Sequence, residues 1–298
     1  MKYAWIQEHR DSFPVTAMCR TLRVSKSGFY RWRSTEPSAR SLRNTRIREA
    51  VKQVHEQSNG IYGSRKIAQC LQDDDALETA CRNTVATAMR ELGIKSRVSK
   101  RFKPTATVVD LTRKPVDNLL DQVFDADQSN RKWVTDITYL KTDNGWGYLA
   151  AVLDLFSRKV VGWSMGEGLA TTLVSDALRQ AIESRRPDTK QLLHHSDRGC
   201  GHRREALVVT SDAYQTTLKT LGITCSMSRT GCCYDNAMME RFLWSLKHEW
   251  TNHETYADLE EVRLSVFRYI ETFYNTVRIH QTLNYLSPDQ HDNHQIAT

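Results

Sequence analysis

The chain lacks the features of a membrane-spanning or secreted protein. Hydrophobic residues make up 40% of its 298 residues, yet no stretch approaches the roughly 18 consecutive apolar residues that mark a membrane span. The first residues, MKYAWIQEHRDSF, do not contain the apolar segment of a secretory signal. These absences predict a cytoplasmic protein with enough apolar residues for a buried core.

Paired cysteines are also missing. The seven cysteines are scattered and form no CxxC pair, which predicts free thiols rather than a disulfide framework. Cys200 and His202 lie close to His194 and His195 and raise the question of a zinc site. Because structural zinc sites usually have paired, closely spaced ligands, we interpret these four residues as exposed polar loop residues.

Positive charge is concentrated in the first part of the chain. Residues 1–120 contain 23 Lys and Arg against 12 Asp and Glu, a balance of +11. The remainder contains 19 basic and 23 acidic residues, a balance of −4. Surface charge that only maintained solubility would not be divided in this way. The division predicts a nucleic-acid-binding part, nucleoid-associated in a cell, joined to a part rich in carboxylates.

Two helix-turn-helix-like patterns lie in the basic part. In the first, apolar residues recur at helical spacing after Pro14, and Ser25 can cap a second helix, KSGFYRWR. That helix carries Lys26, Arg31 and Arg33, which could contact DNA. A helix pair that binds another protein is the alternative. We interpret the aromatic residues of this helix as core rather than base-stacking groups.

The second pattern follows a polar break at 34–44. Three helices are predicted at 46–57, 64–71 and 81–94. The run KSRVSKRFKP (95–104) then suits backbone phosphates, because nothing in it is arranged to read base edges. Its five predicted phosphate contacts are Lys95, Arg97, Lys100, Arg101 and Lys103.

From residue 131 the pattern changes to strands separated by short turns and later by helices. The predicted strands are 133–140, 148–156, 159–165, 192–197 and 223–227, and the predicted helices are 171–185, 211–222 and 235–250. This order predicts an α/β domain with a mixed sheet.

Three acidic residues stand out by position. Asp136 lies inside an apolar strand, Asp197 ends a later strand, and Glu240 lies among apolar and aromatic residues of a helix. Each could also face solvent, begin a turn or pair with a nearby base such as Lys247. Together they could converge on one edge of the sheet, and oxygen-only ligands suit Mg²⁺ or Mn²⁺. Two such ions promote phosphodiester displacement without a side-chain nucleophile.

Other polar residues are weaker candidates. Asp154 precedes a turn and is expected to order it, whereas Asp212 and Asp235 precede helices and are interpreted as N-caps. A weaker alternative for Asp235, together with Asn236, is to position the helix of Glu240 or the target DNA. Arg278 and His280 follow an aromatic helix, and phosphate contact and plain packing are equal alternatives for them.

Several long stretches resemble a known family. WVTDITYL, GYLAAVLDLFSRKVVGW, HHSDRG, GITCSMSRTGCCYDNAMMERFLWSLKHE and FYNTVRIHQTLNYLSP are similar to the integrase domain of IS-three family insertion-sequence transposases, in particular their second-frame protein, OrfB. The resemblance covers nearly the whole chain, since residues 1–94 also resemble the family's helical N-terminal part.

The resemblance implies a ribonuclease H-like mixed-sheet catalytic core preceded by small all-α helix-turn-helix-like domains. The family's D, D, E metal triad falls on Asp136, Asp197 and Glu240, with Mg²⁺ as cofactor and Mn²⁺ as a substitute. The implied activity is cleavage and strand transfer of insertion-sequence ends, that is, DNA transposition, recombination and integration. The implied partners are the element's terminal repeats, target DNA and further copies of the chain. We expect Lys247 to contact DNA as well.

We expect five segments along the chain. They are a helix-turn-helix-like segment (1–40), a helical DNA-binding domain with a basic tail (41–103), a linker (104–124), the catalytic core (125–250) and a C-terminal helical extension (251–298).

The chain departs from the family pattern at one place. The family leaves 35 residues between the second Asp and the Glu, whereas 42 separate Asp197 from Glu240 here. The seven extra residues belong to CGHRREALVVT (200–210). We expect this extension to be tolerated, because lengthening a surface loop costs little free energy. A displaced Asp197 and impaired catalysis are the alternative.

Two other functions remain open at the level of sequence. The first is a non-catalytic DNA-binding accessory protein that acts only in a frameshift fusion with an upstream partner, an idea favoured by the absence of a sustained heptad pattern after Met1. The second is a ribonuclease acting on RNA–DNA hybrids, which shares the metal chemistry but explains the helix-turn-helix-like front less well.

Overall fold

The computed structural model describes residues 1–72, 74, 77, 80–98, 117–197, 211–229 and 233–294. The first part of the chain is helical, and none of the helices in these ranges is long and apolar enough to cross a membrane. The first helices are α1 (Lys2–Glu8), α2 (Val15–Thr21), α3 (Lys26–Ser34), α4 (Ala39–Gln57), α5 (Ser64–Cys70) and α6 (Arg82–Glu91).

The second part of the chain combines strands with helices. The strands are β1 (Lys132–Thr142), β2 (Gly145–Asp154), β3 (Val160–Gly166), β4 (Leu193–Ser196) and β5 (Thr224–Met227). The helices are α7 (Thr171–Arg185), α8 (Asp212–Thr220), α9 (Ala237–Glu249), α10 (Leu259–Phe267) and α11 (Pro288–His294), and α10 continues directly as a π-helical segment, Arg268–Tyr274.

Helix capping explains where the N-terminal helices begin. The Ser25 hydroxyl accepts a hydrogen bond from the Gly28 N–H at 3.2 Å, so the predicted cap of α3 is confirmed. Helix α4 begins at Ala39, inside the stretch predicted as a polar break. That prediction was wrong because Ser38 caps this helix, and neither proline nor glycine interrupts it before Gly60.

The described strands form one mixed sheet in the order β3-β2-β1-β4-β5. Strand β2 is antiparallel to both β1 and β3, whereas β4 is parallel to β1 and β5 is parallel to β4. Three antiparallel strands continued by parallel ones, with helices on both faces, are the ribonuclease H-like arrangement. The predicted fold class is confirmed.

Alternate side chains of β1 enter two different cores, as expected for a central strand. Trp133 and Ile137 pack with residues of α7 and α8. Val134 points to the other face and packs with residues of α9 and α10. Asp136 has the same parity as Val134, and its register partner Ala151 belongs to that second core. Asp136 therefore lies on the face that α9 covers.

Strand β3 and helix α7 approach each other closely at Gly162. A Cβ atom at this position would lie 2.2 Å from the carbonyl oxygen of Ala177 and 2.7 Å from the backbone nitrogen of Ala181. Backbone atoms cannot move aside as a flexible side chain can. Glycine therefore sets the distance between this helix and the sheet.

Helices α4 to α6 share a core with the C-terminal half of the chain. The Tyr62 hydroxyl donates to the Val277 carbonyl at 3.0 Å and accepts from the Ile279 N–H at 2.8 Å. Burial raises the pKa of Tyr62 to about 12, so the hydroxyl remains a donor at neutral pH. The helical unit is thus joined to the second part of the chain by packing and by directed hydrogen bonds.

Candidate active site

Asp136 and Asp197 lie at the same level of the sheet. The last paired residues of the parallel strands β1 and β4 are Thr135 and Ser196, and each acid is the next residue along its strand. Neighbouring strands are about 4.8 Å apart. Leu193 has the same parity as Asp197 and packs against the core beneath α9. Both acids therefore lie where these strands part, on the face that α9 covers.

A buried asparagine attaches α9 to β1 beside these acids. The Nδ2 atom of Asn236 donates to the Thr135 carbonyl oxygen at 3.1 Å, and Asn236 is fully buried directly before the helix. Glu240 lies four residues further on, and residues four apart share a helix face. The hydrogen bond therefore directs Glu240 to the edge that holds Asp136.

Glu240 interacts electrostatically with Asp197. The Glu240 side chain keeps contact with solvent, but partial burial and the negative charge of Asp197 raise its pKa. Like charges in one region disfavour ionisation, and a cation would relieve that cost. Among the described residues, no three His, Cys, Asp or Glu side chains lie close enough to hold one ion. The three acids therefore lie at one edge of the sheet, but their side chains are not close enough together to share one ion.

Hydrogen bonds orient the two aspartates. The Ser228 hydroxyl donates to Oδ1 of Asp197, and Oδ1 of Asp136 accepts the Ile137 N–H at 2.8 Å. Sequence reasoning missed Ser228. Its position directly after β5, the strand parallel to β4, is the signal that could have identified it.

Asp235 is a buried hydrogen-bond acceptor and not the predicted helix cap. Its carboxylate accepts from Nδ2 of Asn118 at 2.8 Å, from Nε2 of Gln122 at 2.9 Å and from the Arg229 N–H at 2.9 Å. The cap prediction was wrong because a 3-10 turn, Cys233–Asn236, precedes α9 and buries Asp235. Asp235 thus connects the segment before β1 to the segment between β5 and α9.

The other two predicted turn and cap residues differ in outcome. Asp154 is buried and accepts the Phe156 N–H at 2.8 Å, so it orders the turn after β2 as predicted. Asp212 is not a cap. The hydroxyl of Ser211 caps α8 by accepting the Tyr214 N–H, and Asp212 is the first helical residue.

The two histidines of β4 are core residues. Both lie in the strand predicted at 192–197, which is confirmed, but the interpretation of them as exposed loop residues was wrong because both are fully buried. The Nε2 atom of His194 lies 3.2 Å from the Tyr214 hydroxyl. Burial lowers the pKa of His194 to about 3 and that of His195 to about 4. Cys200 and His202 lie outside the described residues.

Arg278 takes part in a buried ion pair. Its Nε and Nη2 atoms lie 2.7 and 2.6 Å from the two carboxylate oxygens of Glu249 at the end of α9. The Nη1 atom also lies 3.2 Å from Nε2 of His280. Phosphate contact and packing were the two alternatives predicted for Arg278 and His280, and these contacts agree with packing.

Comparisons with known proteins identify the family. Two models described as integrase core domain match residues 126–233 and 221–288, and a model described as HTH-like domain matches residues 42–102. Over 300 residues the chain is 39% identical to the transposase InsF for insertion sequence IS3A of Escherichia coli (strain K12), with all of both chains covered. The chain belongs to the IS-three family of transposases.

Two further similarities have lower sequence identity. An uncharacterized 31 kDa protein of insertion element IS600 from Shigella sonnei is 35% identical over 272 residues, 91% of this chain and 96% of that protein. The HTLV-2 integrase catalytic core domain in complex with magnesium matches with a TM-score of 0.42 and 16% identity, over 56% of this chain and 98% of that one.

The family assignment confirms the predicted function. The protein is a DNA transposase with an integrase core, and the non-catalytic accessory alternative is not favoured. Integrase core domains of this kind generally depend on divalent metal ions.

The first group of predicted DNA contacts in this transposase lies on α3. Lys26, Arg31 and Arg33 are all exposed there. The interpretation of the aromatic residues as core was only partly correct. Phe29 is buried, but Tyr30 and Trp32 are 45% and 44% exposed.

The second group lies after α6 and on α9. Lys95 and Arg97 are exposed. Lys247 is half-buried, and its Nζ atom lies 4.7 Å from the centre of the Tyr139 ring. The remaining three predicted contacts, Lys100, Arg101 and Lys103, lie outside the described residues, as does the 200–210 extension.

Proposed function

We propose that Asp136, Asp197 and Glu240 hold Mg²⁺, or Mn²⁺ in its place, and that the transposase cleaves insertion-sequence ends and transfers the resulting strands. The observation that carries this proposal is the β1–β4 register, which puts Asp136 and Asp197 at one level. The raised pKa of Glu240, caused by burial and by Asp197, supports its proximity to Asp197. Three carboxylates form an oxygen-only ligand set, which fits these ions.

In this mechanism, residues of the chain hold and orient the three acids. Bound divalent ions would stabilise the attacking and leaving oxygens of an in-line phosphodiester displacement. Asp136 is held on a central strand, and Ser228 orients Asp197. Glu240 is carried by a helix whose start is fixed by Asn236. The terminal 3′-hydroxyl of the DNA is the nucleophile, so the bond from its oxygen to phosphorus forms as the bond to the leaving oxygen breaks.

We further infer the partners of this site. The exposed basic residues of α3, with Lys95 and Arg97, would hold the terminal repeats or the target DNA by their phosphates. Lys247 follows Glu240 by two turns on α9 and would contact the strand near the acids. Joining two element ends to one target requires more than one site, so we propose that copies of the chain assemble on DNA, with an upstream-frame protein as a further partner.

Replacing Glu240 by Gln tests the proposed site. Labelled DNA carrying the element's ends is incubated with Mg²⁺ or Mn²⁺, and strand-transfer products are measured. We expect Glu240→Gln to lower the rate by more than about 100-fold, since even residues that only orient metal ligands typically contribute 10- to 100-fold. DNA binding and the unfolding midpoint should stay close to wild type, because Glu240 is exposed.

Glu260→Gln is the matched control. This acid lies on α10 with its side chain 72% exposed, and its loss should leave strand transfer unchanged. Full activity of Glu240→Gln would refute the proposed triad. If the wild-type chain is active only when fused to the upstream-frame protein, the comparison is repeated in that fusion.

A further inference from the structure

A positively charged cavity lies between α5 and α9. It has a volume of 330 Å³, and five cationic side chains line it together with one carboxylate. The cations are Arg65, Lys66, Arg82, Arg241 and Arg278, and the carboxylate is Glu249. Glu249 is already paired with Arg278. In the described part of the chain, no carboxylate forms an ion pair with any of the other four.

Lys66 is the unusual member of this set. Its Nζ atom is buried, and none of the described residues accepts a hydrogen bond from it. The nearest stabilising group is the Tyr62 ring, whose centre is 4.8 Å away. An ammonium group has three N–H donors, and burying them without acceptors is unfavourable. Burial, followed by the positive charge of Arg278, lowers the pKa of Lys66 to about 7.

Arg241 links the cavity to the proposed metal site. Its guanidinium lies 4.5 Å from the centre of the Trp244 ring, which holds the group in place without using its hydrogen-bond donors. Arg241 directly follows Glu240 on α9. An anion in the cavity would therefore lie beside the helix that carries Glu240. Planar guanidinium groups with free donors are suited to phosphate oxygens.

We propose that this cavity binds a phosphate of the DNA backbone, so that one strand passes from α5 over α9 towards Glu240. The proposal rests on the proposed function for the identity of its ligand. DNA is favoured over a free anion because the cavity lies between the HTH-like domain, residues 42–102, and the helix of the proposed active site. A phosphate held there contacts both parts of the chain at once. The acceptor that Lys66 lacks is then a phosphate oxygen.

Replacing Lys66 by Met separates a ligand-binding lysine from a structural one. Methionine has a similar length but no charge, so the variant removes a buried ammonium without opening a large cavity. We expect Lys66→Met to raise the thermal midpoint of the full chain in phosphate-free buffer at pH 6.5. A lower midpoint would show that the amine stabilises the fold, and it would overturn the proposal.

DNA binding is measured on the same variant by fluorescence anisotropy, with a labelled duplex of random sequence and without divalent metal. Each phosphate contact contributes about −0.9 to the slope of log K against log salt concentration. We expect the slope of Lys66→Met to be less negative by about that amount. The matched control is Lys219→Met, because Lys219 is exposed on α8, on the opposite face of the sheet.

Inorganic phosphate distinguishes the two sources of the anion. At constant ionic strength, phosphate should raise the midpoint of the wild-type chain more than that of Lys66→Met. If that difference appears but the DNA slope is unchanged, the cavity binds free phosphate and the DNA assignment is overturned. Neither assay depends on catalysis. If Lys66→Met shows the slope change while Glu240→Gln retains full strand transfer, the proposed triad is refuted and this inference stands.

Discussion

At the scale of single residues, buried ionisable groups of this transposase are accommodated in two ways, as a charged pair or as neutral side chains. Glu249 and Arg278 remain charged as a pair. Burial raises the pKa of Glu249, but the charge and hydrogen bonds of Arg278 outweigh it, and the net pKa is lowered. His194 and His195 are instead neutral, because burial lowers the pKa of both. Removing one member of a buried pair typically costs about 3–5 kcal/mol, whereas a neutral histidine becomes costly only in acid.

The neutral histidines predict a loss of stability in acid. The folded pKa of His194 is about 3, whereas an unfolded histidine titrates near about 6.5. Between these values the unfolded chain binds more protons, so the free energy of unfolding falls as pH falls below about 6.5. Each histidine contributes a slope of about 1.4 kcal/mol per pH unit in that window. We expect His194→Gln to lose one such contribution between about pH 6 and pH 4.

Urea unfolding at several pH values measures this difference. The informative quantity is the change with pH in the difference between wild type and variant, because the substitution also alters packing against Tyr214. His253→Gln serves as the control with an exposed ring. A wild-type-minus-variant difference that stays constant from about pH 7 to pH 4 would contradict the expected buried, neutral state of His194.

The roles proposed for individual residues differ in how far they can be inferred from the sequence. Asp136, Asp197 and Glu240 could be selected because an acid in an apolar strand, at a strand end or on an aromatic helix is chemically conspicuous. Ser228 and Lys66 could not be selected, because a serine after a strand and a lysine on a short helix are ordinary at the level of sequence. Their roles depend on the tertiary structure. Ser228 donates to the Asp197 carboxylate, whereas the buried Nζ atom of Lys66 finds no acceptor among the described residues.

At the scale of elements, local patterns predicted most strands and helices, because β-branched runs and helical periodicity are local properties. The errors in predicted helix starts occurred where a side-chain hydrogen bond, rather than the local residue composition, decides the first residue of the helix. Ser38 begins α4 inside a polar stretch, and Ser211 rather than Asp212 caps α8. The docking of α4 to α6 on the C-terminal half could not be predicted, since it depends on contacts such as that between Tyr62 and Val277.

The close approach of β3 and α7 predicts a large effect from one methyl group. Gly162→Ala should lower the free energy of unfolding by about 1–3 kcal/mol or more, because the new Cβ would overlap backbone atoms of α7 and force the helix outward. Urea unfolding measures the change. Gly168→Ala is the control, since a Cβ there meets nothing within 4 Å. Equal stability of both variants would disprove the contact.

At the scale of the whole molecule, the helical unit α4–α6 and the sheet are parts of one packed body, because residues from both belong to the same hydrophobic core. Tyr62 adds hydrogen bonds from the helical unit to Val277 and Ile279 in the C-terminal part of the chain. If the proposed function is correct, DNA held by the helical unit would lie at a fixed position relative to the three acids. The shared core would then couple DNA binding to catalysis.

Tyr62→Phe tests how the helical unit is joined to the C-terminal part of the chain. The substitution keeps the ring but leaves the Val277 carbonyl and the Ile279 N–H without their partner, which should cost about 1–3 kcal/mol. Unfolding should remain a single transition that coincides by far-UV and near-UV circular dichroism. The control is Tyr30→Phe on α3, where the side chain is 45% exposed. Two separate transitions in the wild-type chain would refute a shared core.

The buried pair of Glu249 and Arg278 has a consequence for protein synthesis. Glu249 ends the helix that carries Glu240, and its partner is made 29 residues later. A chain released by the ribosome before Arg278 would have to bury a lone carboxylate at the base of α9. Because an uncompensated buried charge is strongly destabilising, such a fragment would be less stable than a chain that contains Arg278.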